Sequence, residues 1–325
     1  MAKYSRVLVT GGAGFIGSHI VDSFLIDAEV ERVVVLDKMT YAADYAHIRH
    51  HSDNPRFHLV VGDLVDPEAC RAALSDIDLV VHAAAESHVD NSFESSLIFT
   101  KSNVLGTHTL LQAAYSHGVK KFIHVSTDEV YGEAIDTAVA EDGRFNPTNP
   151  YSASKAAAEM IVNGYVQSFN FPACIVRANN MFGTRQFPEK LIPRSLIRLL
   201  TGKKIELHGD GRNQRTYLSV RDFCSALQLI IHSDLNGEAF NIGTDQEFSN
   251  VAVAEMLCEL VGQDLAVSLE LVADRPFNDR RYLIDDSKIR RMGWSPTVDL
   301  KEELPLILDY YRSRLPFYES TLHSL

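Results

Sequence analysis

Short apolar runs alternate with longer, mixed-polarity segments along the first half of the chain. Arg6–Thr10 (RVLVT) is a β-branched run that leads through a glycine cluster into a helical pattern over Ser18–Leu25. Further strand-like runs follow at Arg32–Leu36, Phe57–Val61, Leu79–His82, Lys121–Ser126 and Ala173–Arg177. Between them, Pro67–Leu74, Thr107–His117 and Ser154–Phe169 have helical length and periodicity. Strands that are apolar throughout, rather than alternating, belong to a parallel sheet covered on both faces. The pattern therefore predicts an α/β fold, a doubly wound parallel sheet with its ligand crevice at the C-terminal strand ends. Beyond Arg177 the rhythm loosens. Prolines at 188, 193, 276 and 296 and a Gly209-Asp210-Gly211 turn punctuate shorter elements, although Phe223–His232 still reads as a helix and Ala239–Ile242 as a strand. A smaller, partly discontinuous C-terminal domain is expected, with residues 1–178 and 217–242 in the first domain and 179–216 and 243–325 in the second.

Composition narrows the partners. No apolar run exceeds four residues, so no membrane-spanning helix is expected. With 31 basic and 43 acidic residues, the formal charge of −12 disfavours general nucleic-acid binding. The four cysteines (Cys70, Cys174, Cys224, Cys258) lack CxxC spacing, which suits a reducing cytoplasm.

Gly11, Gly14 and Gly17 form GxxGxxG between the first strand and the first helix. The first glycine permits a tight turn, the second lets backbone approach a pyrophosphate, and the third packs the helix on the sheet. This is the Rossmann arrangement. Asp37 ends the next strand, where a carboxylate accepts hydrogen bonds from a ribose 2′-OH and repels a 2′-phosphate, so NAD is expected over NADP. Lys38 next to it offsets part of that repulsion. Asp63 either meets the adenine amino group or caps the helix that begins at Pro67. Tyr151 and Lys155 stand at i, i+4 on one face of a predicted helix, after an Asn149-Pro150 turn. A nearby ammonium favours phenolate and tunes the tyrosine towards general-base work.

TGGAGFIGSH, AAESHVDNS, STDEVYGE, NPYSASKAAAE, FPEKLIP, HGDGRNQR, FNIG and DRPFNDRRY run nearly end to end through the chain. With them it resembles an extended short-chain dehydrogenase/reductase and, within that group, a nucleoside-diphosphate-glucose 4,6-dehydratase. Thr127-Asp128-Glu129 is the discriminating triplet, because related sugar 4-epimerases lack the adjacent acid pair. The resemblance implies that Tyr151 deprotonates the C4 hydroxyl as NAD accepts hydride, with Thr127 on the C4 oxygen. Glu129 then takes the C5 proton, Asp128 protonates the leaving C6 hydroxyl, and hydride returns to C6.

The same resemblance places Phe15, Ile16, Thr40, Leu64, Ala83, Ala84, Ala85, Ser87, Thr100 and Asn180 around NAD, together with Lys38, Asp63, Tyr151 and Lys155. It places Ser87, Thr127, Asn179, Lys190, Leu191, Glu206, His208, Arg215, Asn241, Arg275 and Asn278 around the nucleotide sugar. On residue chemistry alone, Arg215 suits pyrophosphate or a surface ion pair, Asn179 a ligand or a turn cap, and Asn241 a ligand or a strand end. Three positions depart from the commonest thymidine-linked pattern. Phe182 replaces a tyrosine near the nicotinamide, while His208 and Phe277-Asn278 resemble uridine-linked dehydratases. Lys155, Lys190 and Arg215 are expected to make a positive crevice within the acidic surface.

Other candidates read as structural. His47, His50 and His51 lack a flanking carboxylate and read as a solvated helical face, so no metal is expected. His82 and His88 also read as structural. The helix face of Ala156, Ala157, Met160, Ile161 and Gly164 packs either in the core or against a partner. The resemblance implies a homodimer through a four-helix bundle with the Thr107–His117 helix. The competing readings are a nucleotide-sugar 4-epimerase, which has no work for Asp128 and Glu129, and a non-catalytic NAD-binding protein.

Overall fold

A computed structural model describes residues 4–322. Seven parallel strands form the central sheet: β1 (Arg6–Thr10), β2 (Arg32–Asp37), β3 (Phe57–Val61), β4 (Leu79–His82), β5 (Lys121–Thr127), β6 (Ala173–Ala178) and β7 (Ala239–Ile242). Their spatial order is β7-β6-β5-β4-β1-β2-β3. The chain runs outward in both directions from the β1–β4 pair, and a sheet of this kind opens its ligand crevice where the order reverses.

The run of valines and leucines in β1, β2 and β4 is buried on both faces, as an all-parallel sheet requires. One face carries α1 (Phe15–Ile26) and α5 (Val220–His232); Val7, Val9, Ile20, Phe24, Val33, Phe223 and Leu227 share that core. The other carries α2 (Pro67–Ala73), α3 (Gly106–Ser116) and α4 (Pro150–Phe169), packed on Leu8, Val34, Val80 and Phe122. Each fully buried side chain of this kind stabilises by roughly 1.5–3 kcal/mol.

After β6 the chain builds a third apolar core around Phe182, Leu196, Leu257, Leu304 and Tyr311. Three small sheets belong to this region or join it to the first. Gln214–Ser219 lies between Asn180–Phe182 and Glu247–Ser249, Ile205–His208 pairs with Leu269–Val272, and Ala134–Val139 pairs with Tyr282–Ile284. These pairings tie the segments after β6 to one another and to the strand Ala134–Val139 that follows β5. No helix of the described residues is long and apolar enough to cross a membrane.

The elements read from periodicity are present, with two shifts that matter to the site. Strands β5 and β6 each run one residue further than expected, to Thr127 and Ala178, so Thr127 is delivered by the sheet itself. Before α3, Thr100–Leu105 forms a π-helical turn that periodicity does not announce.

Candidate active site

The crevice is a cavity of about 440 Å³ between the strand ends and the C-terminal region. At its cofactor end the backbone does most of the shaping. Gly11 has φ of 70° and follows β1 directly; a Cβ there would lie 2.7 Å from Ala84 Cα, in the turn after β4. A Cβ on Gly17 would lie 2.0 Å from the Gly11 carbonyl oxygen. The N-cap of α1 is Gly14, which offers no side chain to its first turn, so N–H groups there stay available to an anion. Asp37 accepts from Ala13 N (2.9 Å) and Met39 N (2.8 Å), and burial pushes its carboxyl above the usual range against those bonds. The Lys38 ammonium is held 2.8 Å from Asp63, so its charge is already answered.

Thr127, Asp128 and Glu129 turn out of β5 into a short 3₁₀ turn, where Thr127 Oγ1 accepts from Glu129 N. Both carboxyls are raised by burial. Asp128 is pushed up to about 7, Glu129's charge adding to the effect and the amide of Asn179 opposing it at 2.8 Å. Glu129 also rises, opposed first by a hydrogen bond from Asn149 (3.2 Å) and then by the charges of Lys190 and Arg215. Glu129 and Thr127 line the crevice; Asp128 sits directly behind, with its oxygens on Thr127 and Asn179, which do line it.

Tyr151 and Lys155 emerge from the first turns of α4, whose start is fixed by Pro150 at N1 and a capping box between Asn149 and Ser152. Lys155 Nζ donates to Val125 O at 2.7 Å, and burial lowers its pKa to about 8. The Tyr151 phenol is raised by burial and then by Glu129 and Asp128, with Thr127 acting in the opposite direction. This corrects the expectation that Lys155 sets the tyrosine low. Its ammonium is engaged by a carbonyl of β5, and desolvation and the acid pair dominate.

The cations on the C-terminal side of the crevice fall into two groups. Arg194 and Arg198 both pair with Glu206, and Arg275 pairs with Asp90 at 2.6 Å. Lys190 donates to Ser87 O (2.8 Å), while Arg215 reaches the carbonyl of Gln214 (2.7 Å) and Asn278 Oδ1 (3.3 Å) and lies over the Tyr282 ring. Among the described residues Lys155, Lys190 and Arg215 make no ion pair with a carboxylate, so these are the wall cations with charge to spare.

Comparison with known proteins bears on this geometry. The profile of the GDP-mannose 4,6 dehydratase family matches residues 8–305. The chain belongs to this family. It is 41% identical over 315 residues to a trifunctional UDP-glucose 4,6-dehydratase/UDP-4-keto-6-deoxy-D-glucose 3,5-epimerase/UDP-4-keto-L-rhamnose-reductase of Arabidopsis thaliana, covering 95% of this chain and 47% of the plant protein. It thus spans about half the length of that relative. To the dTDP-D-glucose 4,6-dehydratase of Mus musculus it is 40% identical, over 94% of this chain and 88% of the mouse protein. The crystal structure of DesIV, a dTDP-glucose 4,6-dehydratase from Streptomyces venezuelae with NAD and TYD bound, superposes with a TM-score of 0.93 at 39% identity, covering 96% of this chain and 98% of that one.

The crevice wall of this family member brings together nearly all the residues singled out in the sequence. Gly11, Gly14, Phe15, Ile16, Gly17, Asp37, Lys38, Thr40, Asp63, Leu64, Ala83, Ala84, Ala85, Ser87 and Asn180 line it, as do Asn179, Lys190, Leu191, Glu206, His208, Arg215, Arg275 and Asn278. Several readings need correction. Thr100 is exposed and off the wall; the π-turn brings Ser102 there instead and buries Asn103. Asn241 is not a crevice residue. It is fully buried, accepts from Tyr131 OH (2.9 Å) and donates to Val139 O (2.9 Å) and Asp285 O (3.0 Å), which uses up its amide. Phe182 is buried in the third core and does not line the crevice, although Asn180 and Met181 just before it do. His88, read as structural, lines the crevice, and the cap at Pro67 is Asp66 rather than Asp63.

The three histidines do not share a solvated face. His47 is buried, with Nδ1 at 3.0 Å from Ala13 O. His50 and His51 lie 2.9 and 2.7 Å from Asp22 Oδ1, a carboxylate that spacing alone does not show, and Arg185 takes the other oxygen. Sequence reasoning also missed Asn149, Glu189, Asp279 and Tyr282 on the wall. For Asn149 the signal existed: an asparagine before a proline that opens a helical pattern is a helix-start signature, not only a turn.

Proposed function

We propose that this chain is an NAD-dependent NDP-glucose 4,6-dehydratase, forming an NDP-4-keto-6-deoxyglucose. The observation that carries the reading is the acid pair Asp128–Glu129 at the end of β5, beside Tyr151, with each acid held by a different amide. A 4-epimerase needs the tyrosine but has no use for two acids. The glycine contacts and the Asp37 carboxylate fit a dinucleotide with a free 2′-OH. NAD bound there supplies the hydride acceptor and donor, so that the cycle is redox-neutral.

The chain's own groups handle the protons. Tyr151 takes the C4 hydroxyl proton as the phenolate, a form that Lys155 and the positive nicotinamide ring of bound NAD would favour against burial, and Thr127 holds the C4 oxygen. As C5–H breaks, its proton goes to a Glu129 oxygen and the electron pair forms the C5–C6 double bond while the C6–O bond breaks. Asp128, raised to about 7, holds the proton that leaves with the C6 hydroxyl as water. Lys190 and Arg215 oppose the diphosphate charge, and Lys155 holds the nicotinamide ribose. We assign residues 1–178 and 217–242 to the cofactor and most of the remainder to nucleotide-sugar selection. The base is taken as thymine first; His208 and Phe277-Asn278 on the wall make uracil the alternative to test beside it.

Leu97, Ile98, Leu105, Tyr115, Met160 and Phe169 are exposed large apolar residues on the neighbouring segments 96–105, α3 and α4. We assign this face to a second copy of the chain, the two long helices of each forming a four-helix bundle. Sedimentation at micromolar concentration checks it, and a monomer overturns it. Four free, buried cysteines support a cytoplasmic setting.

The test is incubation with dTDP-glucose and, separately, UDP-glucose. A 4-keto-6-deoxy product treated with alkali absorbs in the near ultraviolet, whereas a 4-epimer does not. Asp128→Asn and Glu129→Gln should each slow turnover by about 100-fold or more while C4 oxidation proceeds, leaving reduced cofactor visible by its absorbance. Unchanged product formation by both variants would overturn the assignment, as would an epimer from the unaltered protein.

A further inference from the structure

Two asparagines reach the acid pair from different elements. Asn179, immediately after β6, donates Nδ2 to Asp128 Oδ2 at 2.8 Å. Asn149, immediately before α4, donates Nδ2 to Glu129 Oε2 at 3.2 Å. The second of these has another task. Its Oδ1 accepts from Ser152 N at 2.8 Å as the N-cap of α4, and Ser152 Oγ accepts from Asn149 N at 3.2 Å. The neighbours fix which way the amide points, because only its oxygen can accept from an N–H and only its NH₂ can donate to a carboxylate. Asn149 is buried, so water is a poor substitute for either bond. Tyr151 follows two residues later on the same helical turn.

We propose that Asn149 is a positioning residue for the elimination, tying the Glu129 carboxylate and the start of the tyrosine helix to one side chain. The proposal rests on the reading of Glu129 as the base at C5. A donor to a carboxylate favours the charged form, and burial opposes it; at Glu129 the Asn149 amide is the leading influence on the favourable side. Few side chains can do both jobs. Serine and aspartate cap helices well, but serine is too short to donate at this reach and aspartate would put a second anion beside Glu129. Asparagine combines an acceptor for the cap and a donor for the base at the right length.

The variants separate these two tasks. Asn149→Ser keeps an N-cap and removes the donor, and Asn149→Asp keeps the cap and replaces the donor with a charge. For Asn149→Ser the melting temperature should stay at the unaltered value while kcat falls about tenfold. The acid limb of its pH–rate profile should move to higher pH, since Glu129 then ionises less readily. C4 oxidation should be spared, so reduced cofactor accumulates in a single turnover. Asn149→Asp should lose more and shift the limb further. Unaltered kcat and an unmoved limb in both variants would overturn the proposal. So would a loss of rate that tracks a fall in melting temperature with the limb unmoved, the signature of a cap alone. Glu129→Gln run alongside separates the layers: rapid turnover by that variant overturns the reading of Glu129 itself. A slow Glu129→Gln beside an unimpaired Asn149→Ser overturns only the role given to Asn149.

Discussion

The two ends of the crevice are built by different physics. At the cofactor end, shape dominates. The turns after β1 and β4 touch through Gly11 and Ala84, α1 presents its first turn without a capping side chain, and Lys38 is neutralised by Asp63. At the substrate end, charge dominates. Glu206 and Asp90 hold Arg194 and Arg275, but Lys190 and Arg215 have no acid partner among the described residues. On the proposed reading, an acidic protein would bind a diphosphate through these few unanswered cations, while their neighbours are paired. The comparison implies opposite sensitivities: the cofactor end should fail when atoms are added, and the substrate end when charge is removed.

The largest effect should come from Gly17→Ala. The new methyl would lie 2.0 Å from the Gly11 carbonyl, a backbone atom that cannot swing aside. The turn must open or α1 must lift from the sheet, at a cost of about 3 kcal/mol or more. Thermal unfolding should drop sharply and bound NAD should be lost; a variant that keeps both would break the argument that shape governs this end.

The substrate end should respond by degree. Arg215→Met or Lys190→Met should raise KM for the nucleotide sugar roughly 10- to 100-fold and flatten its salt dependence, with melting temperature little changed. Arg275→Met, which removes a cation already paired with Asp90, should raise KM by less than about threefold. Equal losses at positions 215 and 275 would mean that pairing does not decide which cations hold the diphosphate.

The cofactor end was also the more legible in the sequence, and for the same reason. Shape is written in glycines and in unbroken β-branched runs, so Gly11, Gly14, Gly17 and the strands around them could be placed from spacing. What stayed hidden was set by distant partners or by irregular backbone. The resemblance put Thr100 on the wall, but Thr100 is exposed, and within the π-turn over Thr100–Leu105 it is Ser102 that lines the crevice. Asn241 has the chemistry of a ligand contact, but Tyr131, Val139 and Asp285 occupy its amide from far along the chain. The spacing of Tyr151 and Lys155 was visible; the Val125 carbonyl that engages the lysine was not. Asp22 likewise reaches His50 and His51 only through the fold.

Between the two ends, Asp128 follows neither rule. It is buried with no ion pair to a cation among the described residues, and neutral groups, Asn179 and Thr127, satisfy its oxygens. Its pKa rises from 3.8 to about 7, chiefly through burial, so between those values the folded chain keeps a proton that the unfolded chain has lost. Protonation then favours the folded state, and this residue's contribution must decline as pH rises from about 4 to about 7. An amide at this position cannot ionise, so in Asp128→Asn that decline should vanish. The melting temperature of the variant should gain on the unaltered protein by a few degrees across the window and run parallel to it above. Curves parallel throughout would mean that Asp128 stays ionised in the fold, and the middle of the crevice would then need a cation to hold it.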